Sequence, residues 1–338
     1  MDNYFSARFP QDEPGAAILI LKDDRVVFAH GYGLADLGSR EPITTRTLFN
    51  LGSISKTFVA NAILLLQEQG KLSVEDSLIQ YFPEFKNKDI ARCIRIRHLL
   101  THTSGLPDRR EVSKDTVFYL TAKDAENWKP ETLTDTLEFE PGARFNYSNP
   151  AFNGLALIVE QVSGMKWQDF IARHIFKPSG MLTSTITDGP HPQSGVAHGY
   201  VKNQGTWIED DYGEEPTFPA AGNGGVWSSV EELASYEKAI QSHIFLTEAS
   251  VNDSRTVKQF AAWQSAEAPF IGWSWFVTTQ QGLNTVGHSG SQGGFLANYV
   301  VVPDKHLFFV ILCNTPREPY GMKATTDYVL EEIKKEWP

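Results

Sequence analysis

A serine and a lysine three residues apart, in Ser53-Ile54-Ser55-Lys56, form the most reactive pairing that the chain offers. A serine hydroxyl is a poor nucleophile until a neighbouring group takes its proton. Placed on the first turn of a helix, the two side chains share a face, with Cβ atoms about 5–6 Å apart. The helix N-terminus adds unpaired N–H groups and a potential that favours negative charge. A lysine in a crowded, partly dry pocket can lose its proton near neutral pH. One turn of chain would then supply nucleophile, base and anion stabiliser. The spacing alone is common, since Ser235-Tyr236-Glu237-Lys238 repeats it and reads as ordinary helix surface. The first copy differs in its setting. Gly52 precedes it, and Phe58, Ala62, Leu65 and Leu66 follow at the spacing of a buried helix.

That helix is expected from about residue 53 to 69, with Gly70 at its C-terminal cap. Before it, residues 16–31 read as a hairpin, turning at Asp23-Asp24. Ser73-Val74-Glu75-Asp76 carries a capping signal for a further helix. The middle of the chain, residues 76–185, is helix-rich, and its clearest helix runs over 151–162 and closes at Gly164. Ser229-Val230-Glu231-Glu232 opens another helix, through Ala239. The last third turns to strands, expected over 270–278, 284–287, 295–302 and 306–313, with Pro303-Asp304-Lys305 as a hairpin turn. A helix over 322–335 ends the chain, with Tyr328, Leu330 and Ile333 on its apolar face. Strands at both ends with helices between them predict an α/β fold of the α+β type, built on an antiparallel β-sheet flanked by helices. Residues 1–75 and 186–338 would form that part, and residues 76–185 an inserted, mainly helical domain.

Composition narrows the function classes. Of 338 residues, 41% are hydrophobic and 12% aromatic, enough for a core and too many for a disordered chain. The net charge of −11 comes with scattered Lys and Arg, the nearest clusters being Arg92, Arg95 and Arg97 and the pair Arg109-Arg110. A nucleic-acid binder needs a concentrated basic footprint, so that partner is set aside. No window reaches the roughly 18 apolar residues of a membrane span. The N-terminus lacks a basic segment followed by an apolar one. The chain is therefore cytoplasmic, or else a periplasmic or extracellular mature form whose export signal has been removed. Cys93 and Cys313 are too few for a disulfide framework and read as two reduced, buried thiols.

Several patterns compete with the serine. His98-Leu99-Leu100-Thr101-His102 spaces two imidazoles as some zinc sites do, but no Glu follows His98 and no third ligand is evident. A structural role, holding a turn, is the expectation, and no metal or organic cofactor is predicted. Gly31-Tyr32-Gly33 follows a strand, yet Asp36 stands where a dinucleotide fingerprint needs its third glycine. There is no G-x-S-x-G elbow and no P-loop. Trp273 and Trp275 alternate on an expected strand, so one could face a cleft, with core packing at least as good a reading. The acidic run at Glu209, Asp211, Glu214 and Glu215 reads as a solvated face.

Two further motifs, Tyr147-Ser148-Asn149 and His288-Ser289-Gly290, follow Ser53-x-x-Lys56 in the chain. In order and approximate spacing the three sets resemble the serine DD-peptidase and class C β-lactamase family. The connecting segments at residues 31–36, 99–106, 176–181 and 224–229 resemble that family too, so the likeness covers about residues 14–315. The resemblance implies that Ser53 attacks a carbonyl and forms an acyl-enzyme. Lys56 and Tyr147 would share the acid and base work, in an order the sequence leaves open. Asn149 would hold the substrate amide and the lysine. The backbone N–H groups of Ser53 and Ser291 would form an oxyanion hole. His288-Ser289-Gly290 would be an edge strand lining the cleft, with Gly290 letting the substrate backbone approach.

Most class C β-lactamases resemble Lys-Thr-Gly at the third motif, whereas this chain has His288-Ser289-Gly290. That departure resembles the DD-carboxypeptidase and D-aminopeptidase branch and weakens the case for efficient β-lactam turnover. A partly protonated His288 could take over some of the missing lysine's work. The expected activity is therefore a serine hydrolase acting on a small-molecule or short-peptide amide or ester, above all a D-amino-acid peptide or a small ester. A class C-like β-lactamase and a penicillin-binding receptor without turnover are the alternatives.

Overall fold

The computed structural model describes residues 1–108, 122–187, 192, 194–210, 221–316 and 321–337. Arg109-Arg110 and the acidic residues Asp211, Glu214 and Glu215 lie outside them. The chain opens with helix α1 (Asp2–Arg8), then the hairpin β1 (Ala16–Lys22) and β2 (Arg25–Tyr32). Helix α2 (Ser55–Glu68) follows, then α3 (Asp124–Thr132) and α4 (Asn149–Ser163). Helix α5 (Val230–Gln241) leads into the strands β3 (Phe276–Gln280), β4 (Leu283–Gln292), β5 (Phe295–Val302) and β6 (Leu307–Cys313). Helix α6 (Gly321–Glu336) closes the chain.

The main sheet runs in the order β3-β4-β5-β6-β1-β2, every neighbour antiparallel, so both chain ends meet where β1 pairs with β6. β1 and β6 are near-continuous apolar runs because helices cover both faces of the sheet. Side chains alternate between two cores along each strand. Ala17, Leu19 and Leu21 of β1 and Phe308, Val310 and Leu312 of β6 join the core that contains α2 and α5. Ala16, Ile18 and Ile20, with Leu307, Phe309 and Ile311, join Phe5 of α1 and Val329, Leu330 and Ile333 of α6. The expected α/β arrangement is thus observed.

Helix α2 is buried almost throughout, from Ser55 to Leu66. Each large apolar side chain buried there contributes about 1.5–3 kcal/mol, which anchors the segment bearing the reactive pair. Ser148 caps α4 by accepting a hydrogen bond from the Ala151 N–H at 3.3 Å, and Gly164 closes it in the left-handed conformation at φ 69°. Ser229 caps α5 in the same way through Glu232.

Three expectations are corrected. Ser73-Val74-Glu75-Asp76 starts no α-helix, because the Asp76 carboxylate takes the Ser73 N–H at 2.8 Å and the Tyr81 hydroxyl at 2.7 Å, closing a turn. A single 3₁₀ turn, Leu78–Gln80, follows. The third strand begins at Phe276, not at 270. Trp273 and Trp275 flank Ser274, whose φ of 67° breaks the extended backbone. Both indoles are buried in the core. Cys313 is a buried free thiol as expected, but Cys93 is free and exposed, at the last turn of a short helix. No helix among the described residues is long and apolar enough to cross a membrane.

Candidate active site

The serine does not sit on an α-helix. The two-residue strand Phe49–Asn50 pairs with Val226–Ser228, and the chain then turns sharply at Gly52, whose N–H is taken by the Asn50 side chain at 2.8 Å. Gly52 to Ile54 form a 3₁₀ turn, and α2 begins at Ser55. Ser53 and Lys56 therefore straddle the junction of the two helix types. Their side chains still meet, with the Lys56 Nζ 2.9 Å from the Ser53 Oγ.

Lys56 is fully buried. Its amine also donates to the backbone carbonyl of Asn223 at 2.7 Å and lies 5.1 Å from the centre of the Tyr147 ring. Asn223 is held in turn, because its side-chain amide donates to Asn153 Oδ1 at 2.9 Å, and the Asn153 amide donates to the buried carboxylate of Asp124 at 2.6 Å. The Gly222 N–H and the Trp167 indole N–H satisfy Asp124 further, at 2.9 and 3.0 Å. A buried polar network of this kind fixes its members only when each donor and acceptor is used. None of Asn223, Asn153, Asp124 and Trp167 was singled out by sequence spacing.

Tyr147 stands in the loop before α4, one edge of its ring open to the cleft. Burial pushes its hydroxyl up to about 12, and the hydrogen bond with Ser53 offsets part of that rise. The phenol is therefore protonated at neutral pH. Asn149 opens α4, half-buried, with Pro150 after it.

His288, Ser289, Gly290 and Ser291 lie on β4. Strand β3 stops at Phe276 opposite Gly287, so residues 288–292 pair only with β5 and form a local edge, as expected. This edge packs directly against the Ser53 turn. A Cβ on Gly290 would lie 1.9 Å from the Leu51 carbonyl oxygen and 3.1 Å from the Ser53 nitrogen. A Cβ on Gly52, already at φ 50°, would lie 2.7 Å from the Ser291 nitrogen. Glycine at both positions brings the Ser53 and Ser291 amides into one corner. Gly290 is thus required by the chain's own packing, whatever room it also leaves for a substrate backbone. Gly290→Ala is expected to push the turn off the strand, lowering the melting temperature and cutting hydrolysis about 10²-fold. Thermal unfolding with ester kinetics checks this; both values unchanged would mean that the turn and strand are not held together there.

The expectation that His288 carries part-time positive charge is corrected. The ring is buried, its Nδ1 is 2.6 Å from the Ser289 carbonyl, and it packs against Phe276 with centroids 5.0 Å apart and planes tilted by 58°. Burial, and after it the charge on Lys56 whenever that amine is protonated, hold it down at about 3. It is a neutral imidazole wherever the protein works. His98 and His102 are buried as well. His98 Nδ1 accepts the Arg95 N–H at 3.1 Å and so caps its own short helix, and His102 Nδ1 accepts the Ser148 N–H at 3.0 Å. Among the described residues, no group of three or more His, Cys, Asp and Glu is placed to hold a metal ion.

Ser53, Tyr147, His288, Ser289, Gly290 and Ser291 face a cleft of 590 Å³, which Phe276, Leu296 and Met322 help to wall. A hydroxyl within 2.9 Å of a buried amine, a phenol beside them and two neighbouring backbone amides are groups that acyl transfer to serine can use.

This fold and this site define a serine β-lactamase-type protein, and the chain belongs to the beta-lactamase family, whose sequence profile matches residues 2–332. Among its relatives is a penicillin-binding protein of Bacillus subtilis (strain 168), 28% identical over 319 residues, covering 88% of this chain and 67% of the relative. An Escherichia coli (strain K12) protein, provisionally named a D-alanyl-D-alanine carboxypeptidase, is 26% identical over 362 residues, covering 94% of this chain and 82% of the relative. The octameric penicillin-binding protein homologue from Pyrococcus abyssi superposes with a TM-score of 0.80 at 26% identity, covering 99% of this chain and 76% of that one.

Proposed function

We propose that this protein is a hydrolase that cleaves a D-amino-acid amide or peptide, or a small ester, through an acyl-Ser53 intermediate. The observation that carries the reading is the convergence of Ser53, Lys56 and Tyr147, with the Lys56 amine 2.9 Å from the Ser53 oxygen. Ser53 Oγ attacks the carbonyl carbon and its proton passes to the Lys56 amine. The N–H groups of Ser53 and Ser291 take the negative charge that forms on the carbonyl oxygen. Tyr147, protonated at neutral pH, gives its proton to the departing amine or alcohol and is recharged from Lys56. Water then attacks the acyl carbon and the same groups run in reverse. Asn149, at the start of α4, is assigned to the substrate amide.

Two features bear on the choice between a D-amino-acid substrate and a β-lactam. The neutral His288 supplies no cation for a substrate carboxylate, which favours D-aminoacyl amides and esters over β-lactams, and a relative bears a D-alanyl-D-alanine carboxypeptidase name beside another that bears a β-lactamase name. The division of the chain belongs to the same proposal. Residues 1–75 and 186–338 carry Ser53, Lys56 and the β4 edge, residues 76–185 carry Tyr147 and Asn149, and the cleft forms where they meet.

The test is a panel of D-Ala-D-Ala peptides, D-aminoacyl amides, short-chain esters and cephalosporins. Turnover of D-aminoacyl amides, D-peptides or esters well above that of cephalosporins supports the proposal. Faster cephalosporin turnover would make the protein a β-lactamase, and labelling by a fluorescent penicillin with no turnover of any of these would make it a receptor.

A further inference from the structure

We propose that His102 is a positioning residue for Tyr147, holding the phenol over Ser53 by a hydrogen bond, a carbonyl contact and a stacked ring. The proposal rests on the catalytic reading of Ser53, Lys56 and Tyr147 above. It assigns to His102 more than the turn-holding role expected from the sequence.

Three contacts from one residue bracket Tyr147. The His102 carbonyl accepts the N–H of Asn146, the residue before it, at 2.8 Å. The His102 Nδ1 accepts the N–H of Ser148, the residue after it, at 3.0 Å. Between them the imidazole lies under the phenol ring, with centroids 4.3 Å apart and planes 24° from parallel. Phe145 and Phe152 close two further sides of the imidazole, at 5.6 and 5.1 Å. The ring has little room to slide, so the phenol has little either.

The position is costly in ways that packing alone would not require. His102 has φ 56°, a left-handed conformation unusual for a side chain of this size. It is held there by the hydrogen bond of its N–H to Leu99 and that of the Thr103 N–H to His98, at 3.2 and 2.8 Å. An Nδ1 that accepts leaves the proton of the neutral ring on Nε2, which is buried and has no partner among the described residues. Burial above all keeps the ring neutral. A strained backbone and an unsatisfied buried N–H cluster at functional sites. His alone places an acceptor nitrogen within the flat ring itself. Phe keeps only the ring, and Asn keeps only an acceptor.

A double-mutant cycle on hydrolysis of p-nitrophenyl acetate tests this. His102→Asn and His102→Phe are each expected to lower kcat by about 10- to 10²-fold through misplacement of the phenol, with KM nearly unchanged. Because the effect runs through the Tyr147 hydroxyl, either change should add less than about twofold in a Tyr147→Phe background. Should one variant lose its cooperative melting transition, the other carries the cycle. An unchanged kcat in the single variants, or the full loss repeated in the Tyr147→Phe background, would overturn the proposal. Ser53→Ala separates the two layers. Ester hydrolysis that survives it sinks the catalytic reading, whereas its loss alongside a full-sized His102 effect on Tyr147→Phe sinks only this inference.

Discussion

Replacing Ser53 with Ala is expected to lower hydrolysis by roughly 10⁴-fold or more, the largest single effect in the molecule. Ser55 is fully buried, and its Oγ accepts the Val226 N–H at 3.0 Å. The residual rate should come from the cleft and its two amides alone. The fold should be indifferent, since a small, half-buried side chain at the end of a 3₁₀ turn is exchanged for one of similar size. Steady-state kinetics on the best substrate of the panel, with thermal unfolding as control, decides the matter. Activity within tenfold of wild type would remove Ser53 from its role.

Lys56→Met is the second large effect, about 10³-fold or more. Methionine keeps most of the length and fills the same space, so what is lost is the amine 2.9 Å from Ser53 and 2.7 Å from the Asn223 carbonyl. Stability should change little. The Asn223 carbonyl is left without that donor, at a cost of about 1–3 kcal/mol, but a buried amine no longer has to be desolvated. The comparison is informative because Tyr147 is held protonated near neutral pH by burial. If activity stays within tenfold of wild type, the proton from Ser53 does not travel through Lys56, and Tyr147 must take it.

The two effects also explain which parts of the site the sequence made legible. Ser53, Lys56, Tyr147 and the His288-Ser289-Gly290 strand could be singled out because three short motifs, in order, resemble one family, the Ser-x-x-Lys spacing alone being too common. The edge character of β4 was an implication of the same resemblance, since no local pattern says which strands lie beside it. The carbonyl that grips Lys56 could not be found this way. A backbone oxygen has no sequence signature, and only the fold brings Asn223 to within 2.7 Å of an amine 167 positions away. The supporting chain from Asn223 through Asn153 to Asp124 was hidden for a related reason, because it crosses three segments that no local pattern connects. A signal lay one residue away, in the Gly224-Gly225-Val226-Trp227 stretch that shares the family's connecting sequence.

Secondary structure followed the same logic. The most apolar elements, β1 and β6 as near-continuous runs and α2 and α4 at helical spacing, were readable because burial imposes their pattern. The errors fell where side chains compete with the backbone. Asp76 closes a turn where a helix cap was expected, and Ser274 in the left-handed region breaks what hydrophobicity alone makes a strand. The charge of His288 was not legible, because spacing reveals that an imidazole is present and not that it is buried beside Lys56.

Peptide mapping by mass spectrometry, after brief exposure to a fluorescent penicillin, bears most directly on the central claim that this cleft acylates its own serine. The account predicts one adduct, carried by the peptide that contains Ser53 and missing from Ser53→Ala. An adduct on any other residue, or hydrolysis of amides or esters that survives Ser53→Ala, would contradict it.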